Sequence, residues 1–130
     1  MDVTKIPLLS GLAARLHFLA ARTNVIAENI ANADTPDYTA RDVKPADFSK
    51  MARTAAMRAS DPRHMQAKSL SSATIRVEPA PDGEASLNGN QVSIETQTMK
   101  LSETRMDYAL ASSLYRKGLN MLRIAVRGGN

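Results

Sequence analysis

The sequence predicts a mainly α-helical, elongated subunit: long N-terminal and C-terminal helices form an antiparallel, coiled-coil-like pair, joined by a partly extended, loop-rich middle. Apolar residues recur at heptad spacing in both end segments, which is typical of helices that pack along a seam. Proline and serine are concentrated between these segments. Aromatic residues make up only 4% of the chain, so Leu, Ile, Met and Ala must form the core, and these suit helix packing. We therefore divide the chain into residues 1–43, 44–91 and 92–130.

The first segment contains a predicted helix over residues 8–32. Pro7 suits its first turn, where a missing backbone N–H has no intrahelical partner to lose. The helix is expected to end before Pro36, and Asn32 is a candidate for a left-handed terminal conformation. Two interleaved heptad rows predict the packing seam, and they consist of Leu9, Leu12, Leu16, Leu19, Thr23, Ile26 and Ile30.

The middle segment is interrupted by prolines at 45, 62, 79 and 81. Residues 46–59 have the spacing of a short helix, and residues 73–78 alternate as a short strand does. Turn signals occupy residues 81–83 and 88–90. We interpret this segment as a flexible connection that contains fragments of regular structure.

The last segment contains a predicted helix over residues 93–126. Ser93 is a plausible N-cap, and Glu95 favours the positive end of the helix dipole. Ala111 and Gly118 are small residues beside which another helix could approach closely. Two apolar rows make the face broader than one partner helix covers, and they consist of Leu101, Tyr108, Tyr115 and Leu122, and of Met106, Leu110, Leu114, Met121 and Ile124.

This surplus of apolar surface predicts contacts between subunits. A buried large apolar side chain contributes roughly 1.5–3 kcal/mol, whereas ordering each residue costs about 1 kcal/mol or more, so a lone copy is expected to be marginally stable. Assembly would then complete the fold. The sequence leaves open which neighbour each row meets. The predicted subunit-packing residues are Leu9, Leu12, Leu16, Leu19, Ile26, Ile30, Met99, Leu101, Met106, Tyr108, Leu110, Leu114, Tyr115, Met121 and Leu122.

The net charge of +4 raises the alternative of a basic helical nucleic-acid-binding protein. The excess lies in residues 50–68 and 100–130, without the basic helical stripe or interleaved aromatic residues that such proteins use. We therefore expect no nucleic-acid partner. Residues 50–68 are interpreted as a solvated loop or as a contact for acidic surfaces of adjacent subunits.

Membrane insertion and cleavage by a signal peptidase are not expected either. No apolar run approaches the roughly 20 residues that span a bilayer, which predicts no transmembrane segment. Residues 1–9 lack the basic region, apolar stretch and small-residue cleavage site of a secretory signal peptide.

No catalytic, metal or cofactor site is predicted, so the chain is not expected to be an enzyme. His17 and His64 are the only histidines, there is no cysteine, and no cluster of carboxylates surrounds either histidine in the sequence. Asp34, Asp37 and Asp42 lack the central glycine and closing glutamate of a calcium-binding EF-hand loop. Neither a phosphate-binding glycine loop nor a Ser-His-Asp arrangement is present.

Residues 29–43, Asn-Ile-Ala-Asn-Ala-Asp-Thr-Pro-Asp-Tyr-Thr-Ala-Arg-Asp-Val, resemble the N-terminal motif of flagellar rod and hook proteins. That motif reads Asn-x-Ala-Asn-x-x-Thr-Pro-Gly-Tyr and lies where the first long helix ends; Asp37 here replaces its glycine. We expect the amides of Asn29 and Asn32 to bond backbone groups where the chain turns back, and Tyr38 to pack after the turn. The motif residues are Asn29, Ile30, Ala31, Asn32, Thr35, Pro36, Tyr38, Ala40, Arg41 and Asp42.

Within that family, the Tyr-x-Ala-Arg-Asp stretch resembles the proximal rod subunits in particular. The residues 89–92 before the last helix, and the Met-Leu-Arg run at 121–123 near its end, are similar to those subunits as well. Another proximal rod protein, FlgC, remains the alternative within the family, although its usual Val-Glu-Glu-Met run and Ser-Tyr-x-Ala-Asn ending are missing here.

The resemblance implies a structural role in the bacterial flagellum. Subunits of this kind are exported by the flagellar type III apparatus without a cleaved signal peptide. They polymerise in the periplasm into the helical, torque-transmitting rod of the basal body, with their terminal helices in its inner layers. The implied partners are further copies of the chain, FlgC-like and FlgF-like rod subunits, a FliE-like adaptor and the MS-ring protein FliF.

Overall fold

The computed structural model describes residues 7–44 and 75–127. Helix α1 (Pro7–Ala31) is followed by strand β1 (Arg41–Val43), strand β2 (Val77–Pro79) and helix α2 (Ile94–Arg127). The prediction of a mainly helical chain with two long end helices is confirmed, with each helix boundary within one residue. The predicted short helix at 46–59, the basic segment 50–68 and His64 lie outside the described residues.

The two helices pack against each other in antiparallel orientation, as predicted. Near the start of α1, Leu9 lies against Gly118 of α2. Further along α1, Arg15 pairs with Asp107 of α2 at 2.6 Å. Near its end, the Asn29 side chain reaches Gln97 of α2. Helix α1 has 25 residues and α2 has 34, which correspond to lengths of about 37 and 51 Å.

The core between the helices is asymmetric. Helix α1 contributes large apolar side chains, whereas α2 buries Gln97, Thr104 and Ala111 in the same seam. These three residues are seven positions apart, and Gly118 continues the row. The fully buried row of α2 is therefore small or polar, whereas the larger apolar residues of α2 are half-buried or exposed. The buried apolar residues of α1 are Leu9, Phe18, Leu19, Val25 and Ile26.

The strand prediction was partly wrong. Strand β2 spans Val77–Pro79 rather than residues 73–78, and β1 was not predicted at all. The strands pair antiparallel, with Asp42 opposite Glu78 and Arg41 opposite Pro79. Along an antiparallel pair, residues that bond their partner through the backbone alternate with residues that do not. The Ala80 N–H donates to the Ala40 carbonyl, so the adjacent Pro79 stands at a position that needs no N–H.

The pair has only three residues per strand, so alternation could not reveal β1 in the sequence. Val43 is the member of β1 that reaches the core cluster, where it joins Phe18 and Val25 of α1. The strand pair therefore ties the segment after α1 onto the side of the helix pair.

Candidate functional site

The motif at residues 29–42 forms a junction at which the chain turns back along α1. We call the junction the set of residues 29–42 and 82–97, because the second segment closes over the first. Asp37 has a φ of +57°, and among the described residues it is the only non-glycine residue with positive φ. The prediction of a left-handed Asn32 was therefore wrong. The side-chain amide of Asn32 donates to the Glu28 carbonyl of α1 at 2.8 Å.

Asp37 occupies the position where the resembling motif has glycine. Short polar residues such as Asp tolerate the left-handed region better than other side chains, so the turn survives the replacement. Gly89 lies beside it, also with positive φ of 77°, and a Cβ at Gly89 would overlap the Asp37 carboxylate. These two positions depend on each other, because the side chain at 37 occupies the space that the missing side chain at 89 leaves open.

Asn29 is the central residue of the junction and is completely buried. Its Nδ2 donates to the Arg41 carbonyl at 2.6 Å and to Gln97 Oε1 at 3.1 Å. Its Oδ1 accepts from the Arg41 N–H at 3.0 Å and from the Tyr38 hydroxyl at 3.4 Å. The amide thus satisfies both backbone groups of Arg41, which confirms the expectation that it bonds the chain where it turns back.

Asn90 is the second buried amide of the junction, and the sequence did not single it out for this role. Its Nδ2 donates to the carbonyls of Asn32 and Thr35 at 2.9 and 2.7 Å, and its Oδ1 accepts from the Val92 N–H at 2.8 Å. One side chain therefore holds the end of α1, the following turn and the approach to α2 together. A turn-type Asn-Gly-Asn sequence carried no signal for such a long-range role.

Asp82 anchors the start of α2. Its side chain is only 1% exposed, and it accepts from the Ser93 N–H at 3.1 Å, from Gln97 Nε2 at 2.8 Å and from Lys100 Nζ at 2.8 Å. Burial by itself raises the pKa of Asp82, but the hydrogen bonds from Lys100, Gln97 and Ser93 outweigh it and hold that pKa below its usual range.

Gln97 connects the two halves of this network, since its Oε1 accepts from Asn29 and its Nε2 donates to Asp82. Ser93 caps α2 as predicted, with its hydroxyl accepting from the Thr96 N–H at 3.2 Å. A continuous line of hydrogen bonds therefore runs from Tyr38 through α1 to the first turns of α2. The arrangement holds two helices and two loops in one geometry.

A second feature lies on the opposite side of α2. Helical geometry places a set of large apolar residues away from the seam with α1, and we call this set the outer face. Their side chains are between 47% and 71% exposed. Large exposed apolar side chains that recur along one side of a helix are typical of a protein contact surface. The outer face consists of Met99, Met106, Leu110, Leu114, Met121 and Ile124.

Within residues 7–44 and 75–127, the structure contains no group of three or more His, Asp or Glu residues placed to hold a metal ion. None of the helices in these ranges is long and apolar enough to cross a membrane.

Comparison with known proteins places this geometry in a family. The profile of the family described as "Flagella basal body rod protein" matches residues 9–39, which cover α1 and the first half of the junction. A protein of Cereibacter sphaeroides named "Flagellar basal body rod protein FlgB" is 30% identical over 116 residues, which cover 82% of this chain and 84% of the relative. The chain belongs to the flagellar basal body rod protein family. It is a structural protein of the flagellar basal-body rod.

Two other rod proteins extend the similarity. The FlgB protein of Agrobacterium fabrum is 31% identical over 122 residues, which cover 89% of this chain and 90% of the relative. The FlgB protein of Salmonella typhimurium is 27% identical over 123 residues, which cover 88% and 89%. The matches include the middle segment as well as both helices. The shared name of these relatives favours FlgB over FlgC, and the family role implies association with other rod components.

The structure divides the predicted site residues of this rod protein into three groups. Leu9, Leu19 and Ile26 are buried in the chain's own helix seam, and Asn29 and Ala40 are buried in the junction. The half-buried residues are Leu12, Leu16, Ile30, Asn32, Tyr38, Arg41, Asp42, Leu101, Tyr115 and Leu122, and the exposed ones are Ala31, Thr35, Pro36, Met99, Met106, Tyr108, Leu110, Leu114 and Met121.

The rod protein is expected to lose stability in acid, because two carboxylates of the fold are bonded in their charged form. Arg22 contacts Asp42 through two bonds of 3.0 Å. Burial alone raises the pKa of Asp42, but the bonds from Arg22 and from the Val43 N–H lower it overall. The pKa of Asp82 is lowered as well. A carboxylate whose pKa is lower in the folded than in the unfolded state stabilises the fold above about pH 4. This stabilisation is lost as the pH falls through the folded-state pKa.

Urea unfolding measured at pH 7, 5, 4 and 3 checks this expectation. The urea midpoint is expected to stay nearly level from pH 7 to 5 and to fall below pH 4. Asp42→Asn and Asp82→Asn are expected to begin lower at pH 7 and to fall less steeply in acid. Asp34→Asn, which changes an exposed carboxylate, serves as the control and is expected to follow the unmodified protein. Equal pH profiles for all four proteins would contradict the assignment.

Proposed function

We propose that the chain is a proximal rod subunit that polymerises through its terminal helices into a torque-transmitting helical tube. The outer face of α2 is the observation that carries this proposal. Its six large apolar side chains point away from α1, and burial would contribute up to roughly 1.5–3 kcal/mol for each. A polymer of identical subunits would supply such burial along the whole helix.

The seam with α1 supports the same assignment of the outer face to contacts between subunits. Helix α2 buries Gln97, Thr104 and Ala111 against α1, and the large apolar residues of its outer face stay exposed. Three of the six outer-face residues are methionines, whose flexible side chains adapt to irregular packing surfaces. Neighbouring subunits in a helical tube present related but non-identical contacts. Flexible methionine side chains can adapt to each of them.

The junction is proposed to make the subunit stiff enough to transmit torque. Asn29, Asn90, Asp82 and Gln97 lock the angle at which α2 leaves the junction relative to α1. The bonds share partners and are part-buried or buried, so rotation of one helix against the other would break several of them together. In this proposal the motif residues set the geometry within a subunit, and the outer face makes the contacts between subunits.

The wider setting is proposed from the family. The chain would be exported by the flagellar type III apparatus without a cleaved signal peptide and would assemble in the periplasm. Its neighbours would be further copies, FlgC-like and FlgF-like rod subunits, a FliE-like adaptor and the MS-ring protein FliF. Residues 1–43 and 92–130 would form the assembling part, and residues 44–91 would connect them.

Leu110→Glu is expected to prevent incorporation into rods while leaving the isolated subunit folded. Leu110 is 60% exposed, so a charged side chain there changes the outer face and not the seam with α1. Helix content by circular dichroism and the free energy of unfolding are expected to change by no more than about 0.5 kcal/mol. Rod formation is measured by electron microscopy of basal bodies from cells that carry only the variant.

Ala109→Glu is the matched control. Ala109 is the neighbouring exposed residue of α2, but helical geometry places it outside the outer face. This variant is expected to form rods at close to the normal number. Normal rods with Leu110→Glu, or equal loss with both variants, would show that the outer face is not the assembly surface.

A further inference from the structure

We propose that Asn88 is a site of spontaneous deamidation which the closed junction protects, and that isoaspartate formed there before folding prevents the junction from closing. The inference concerns the single chain and does not rest on the proposed polymerisation. Asn88 is exposed, and it is followed by Gly89 in the one Asn-Gly step of the 130-residue sequence. Because Gly89 has no Cβ, its backbone nitrogen is open to attack the Asn88 side chain.

The reaction needs only water and a base that takes the amide proton of Gly89. The Gly89 nitrogen attacks the side-chain carbonyl carbon of Asn88, which closes a five-membered succinimide ring. The bond to Nδ2 breaks, and this nitrogen takes up a proton and leaves as ammonia. Water then opens the ring at one of its two carbonyls. One opening gives aspartate, and the other gives isoaspartate, in which the main chain runs through Cβ and Cγ.

The geometry of the turn explains why this reactive pair is present. Gly89 has a φ of +77°, and a Cβ there would overlap the Asp37 carboxylate, so no other residue fits without strain. Asn88 is bound as well. Its Oδ1 accepts from the Asn90 N–H, and its main-chain carbonyl accepts from the Asp37 N–H, both at 3.1 Å. The junction therefore places an asparagine that serves as an acceptor directly before a glycine that it cannot replace.

The same bonds slow the reaction in the folded chain. Ring closure requires rotation about the Cα–C and Cα–Cβ bonds of Asn88, and the two bonds that Asn88 accepts oppose this rotation. The Gly89 nitrogen must also lose its proton, but its N–H donates to the Ser86 carbonyl at 2.8 Å. Deamidation therefore proceeds from the open state of the turn, and its rate follows the population of that state.

Isoaspartate at position 88 would disrupt the junction, because it adds one atom to the main chain shortly before Asn90. Asn90 is 3% exposed, and its Nδ2 donates to the carbonyls of Asn32 and Thr35 at 2.9 and 2.7 Å. A longer main chain shifts this amide away from both carbonyls. Aspartate at position 88 leaves the main chain unchanged and keeps an acceptor for the Asn90 N–H, so it is expected to be tolerated.

Asp82 provides an internal comparison, because it precedes Gly83 in the one Asp-Gly step of the sequence. It would form the same ring by losing water. Burial raises the pKa of Asp82, but the bonds from Lys100, Gln97 and Ser93 lower it overall and keep the carboxylate charged. A charged carboxylate is a much poorer target for the glycine nitrogen than a neutral amide. Asp82 is therefore expected to stay unmodified in the folded chain.

Peptide mapping of the full-length protein by mass spectrometry tests the protection. The protein is incubated at mildly alkaline pH with and without guanidinium chloride, and cleavage after Glu84 separates Asn88 from Asp82. Deamidation is detected as the mass gain from NH2 to OH. We expect Asn88 to react in guanidinium chloride and at least about tenfold more slowly in the folded protein. Equal rates, or no reaction in guanidinium chloride, would overturn the proposal.

Asn90→Ala tests whether the junction provides the protection. Without denaturant, this variant is expected to deamidate at Asn88 at least about threefold faster, because the turn is no longer tied to the end of α1. Leu87→Ala is the matched control, since Leu87 is fully exposed in the same turn, and it is expected to react at the unmodified rate. Equal rates in the two variants would overturn the assignment to the junction. The comparison with guanidinium chloride decides the question independently if Asn90→Ala does not fold.

Refolding of protein aged in guanidinium chloride tests the second part of the proposal. The denaturant is removed, folded and unfolded chains are separated by size-exclusion chromatography, and isoaspartate at position 88 is quantified in each fraction. It is expected to be enriched at least about tenfold in the unfolded fraction, since the bonds of Asn90 are lost. Asn88→Asp is expected to refold as the unmodified protein does. An equal distribution of isoaspartate between the fractions would overturn this part.

Asn88→Gln controls for damage elsewhere in the chain. Its side chain keeps the amide but must close a six-membered ring, which forms far more slowly. After the same ageing, this variant is expected to refold as well as its own fresh sample. If ageing impaired its refolding as strongly as that of the unmodified protein, the damage would lie at another residue and the proposal would fail.

Discussion

Asn29→Ala is expected to lower the free energy of unfolding by about 3 kcal/mol or more. The change removes a buried amide that bonds the Arg41 N–H, the Arg41 carbonyl and Gln97. Each buried polar group that loses its partner costs about 1–3 kcal/mol, and the alanine cannot replace any of these bonds. Urea unfolding followed by circular dichroism measures the effect. The loss is expected to include the geometry of the junction, and hence rod formation as well as stability.

Asn24→Ala is the matched control, because Asn24 is an exposed residue of the same helix. It is expected to shift the free energy of unfolding by no more than about 0.5 kcal/mol. A double-mutant cycle with Gln97→Ala adds a sharper test, since residues in direct contact couple by about 0.5–3 kcal/mol. Independent effects of Asn29→Ala and Gln97→Ala would show that the connected line of bonds does not act as a unit.

Leu19→Ala is expected to lower the free energy of unfolding by about 2–5 kcal/mol, the usual range for a buried leucine that leaves a cavity. Leu19 is 1% exposed and belongs to the core cluster with Phe18, Val25, Val43 and Ala111. The effect is measured on the isolated subunit by urea unfolding. This measurement distinguishes residues of the helix seam from residues of the outer face, although both sets show the same heptad spacing in the sequence.

Leu110→Ala is the control for this comparison, because it is the same substitution at an exposed position of α2. Its expected effect on the isolated subunit is within about 0.5 kcal/mol. If the two substitutions destabilised the subunit equally, the assignment of one to the seam and the other to the outer face would be wrong.

The helices were predictable because their signals are local. Pro7 at the start of α1, Ser93 before α2 and the heptad rows act within a few residues of where they stand. The same holds for Asn29, whose partner Arg41 follows only 12 positions later along the chain. The antiparallel pairing followed from two long amphipathic helices at the two ends of a short chain.

The junction was predictable in part. The motif indicated a turn after α1, but the left-handed residue is Asp37 and not Asn32. The glycine of the resembling motif at that position was the signal that could have identified it. No comparable signal marked Asn90, because its partners Asn32 and Thr35 lie 58 and 55 positions away in the sequence. Asp82 bonds residues only 11 to 18 positions further on, but it belongs to no motif that would have indicated those bonds.

By itself, the sequence determined the two helices, their boundaries and an apolar surface too broad for one partner, because periodicity and capping are local properties of the chain. Only the tertiary structure decided which α2 row meets α1. In the folded chain, the small and polar row of Gln97, Thr104 and Ala111 packs on α1, because small side chains allow close approach and Gln97 completes the bonds of Asn29. That choice leaves the apolar outer face exposed, and the choice depends on contacts between residues more than 60 positions apart.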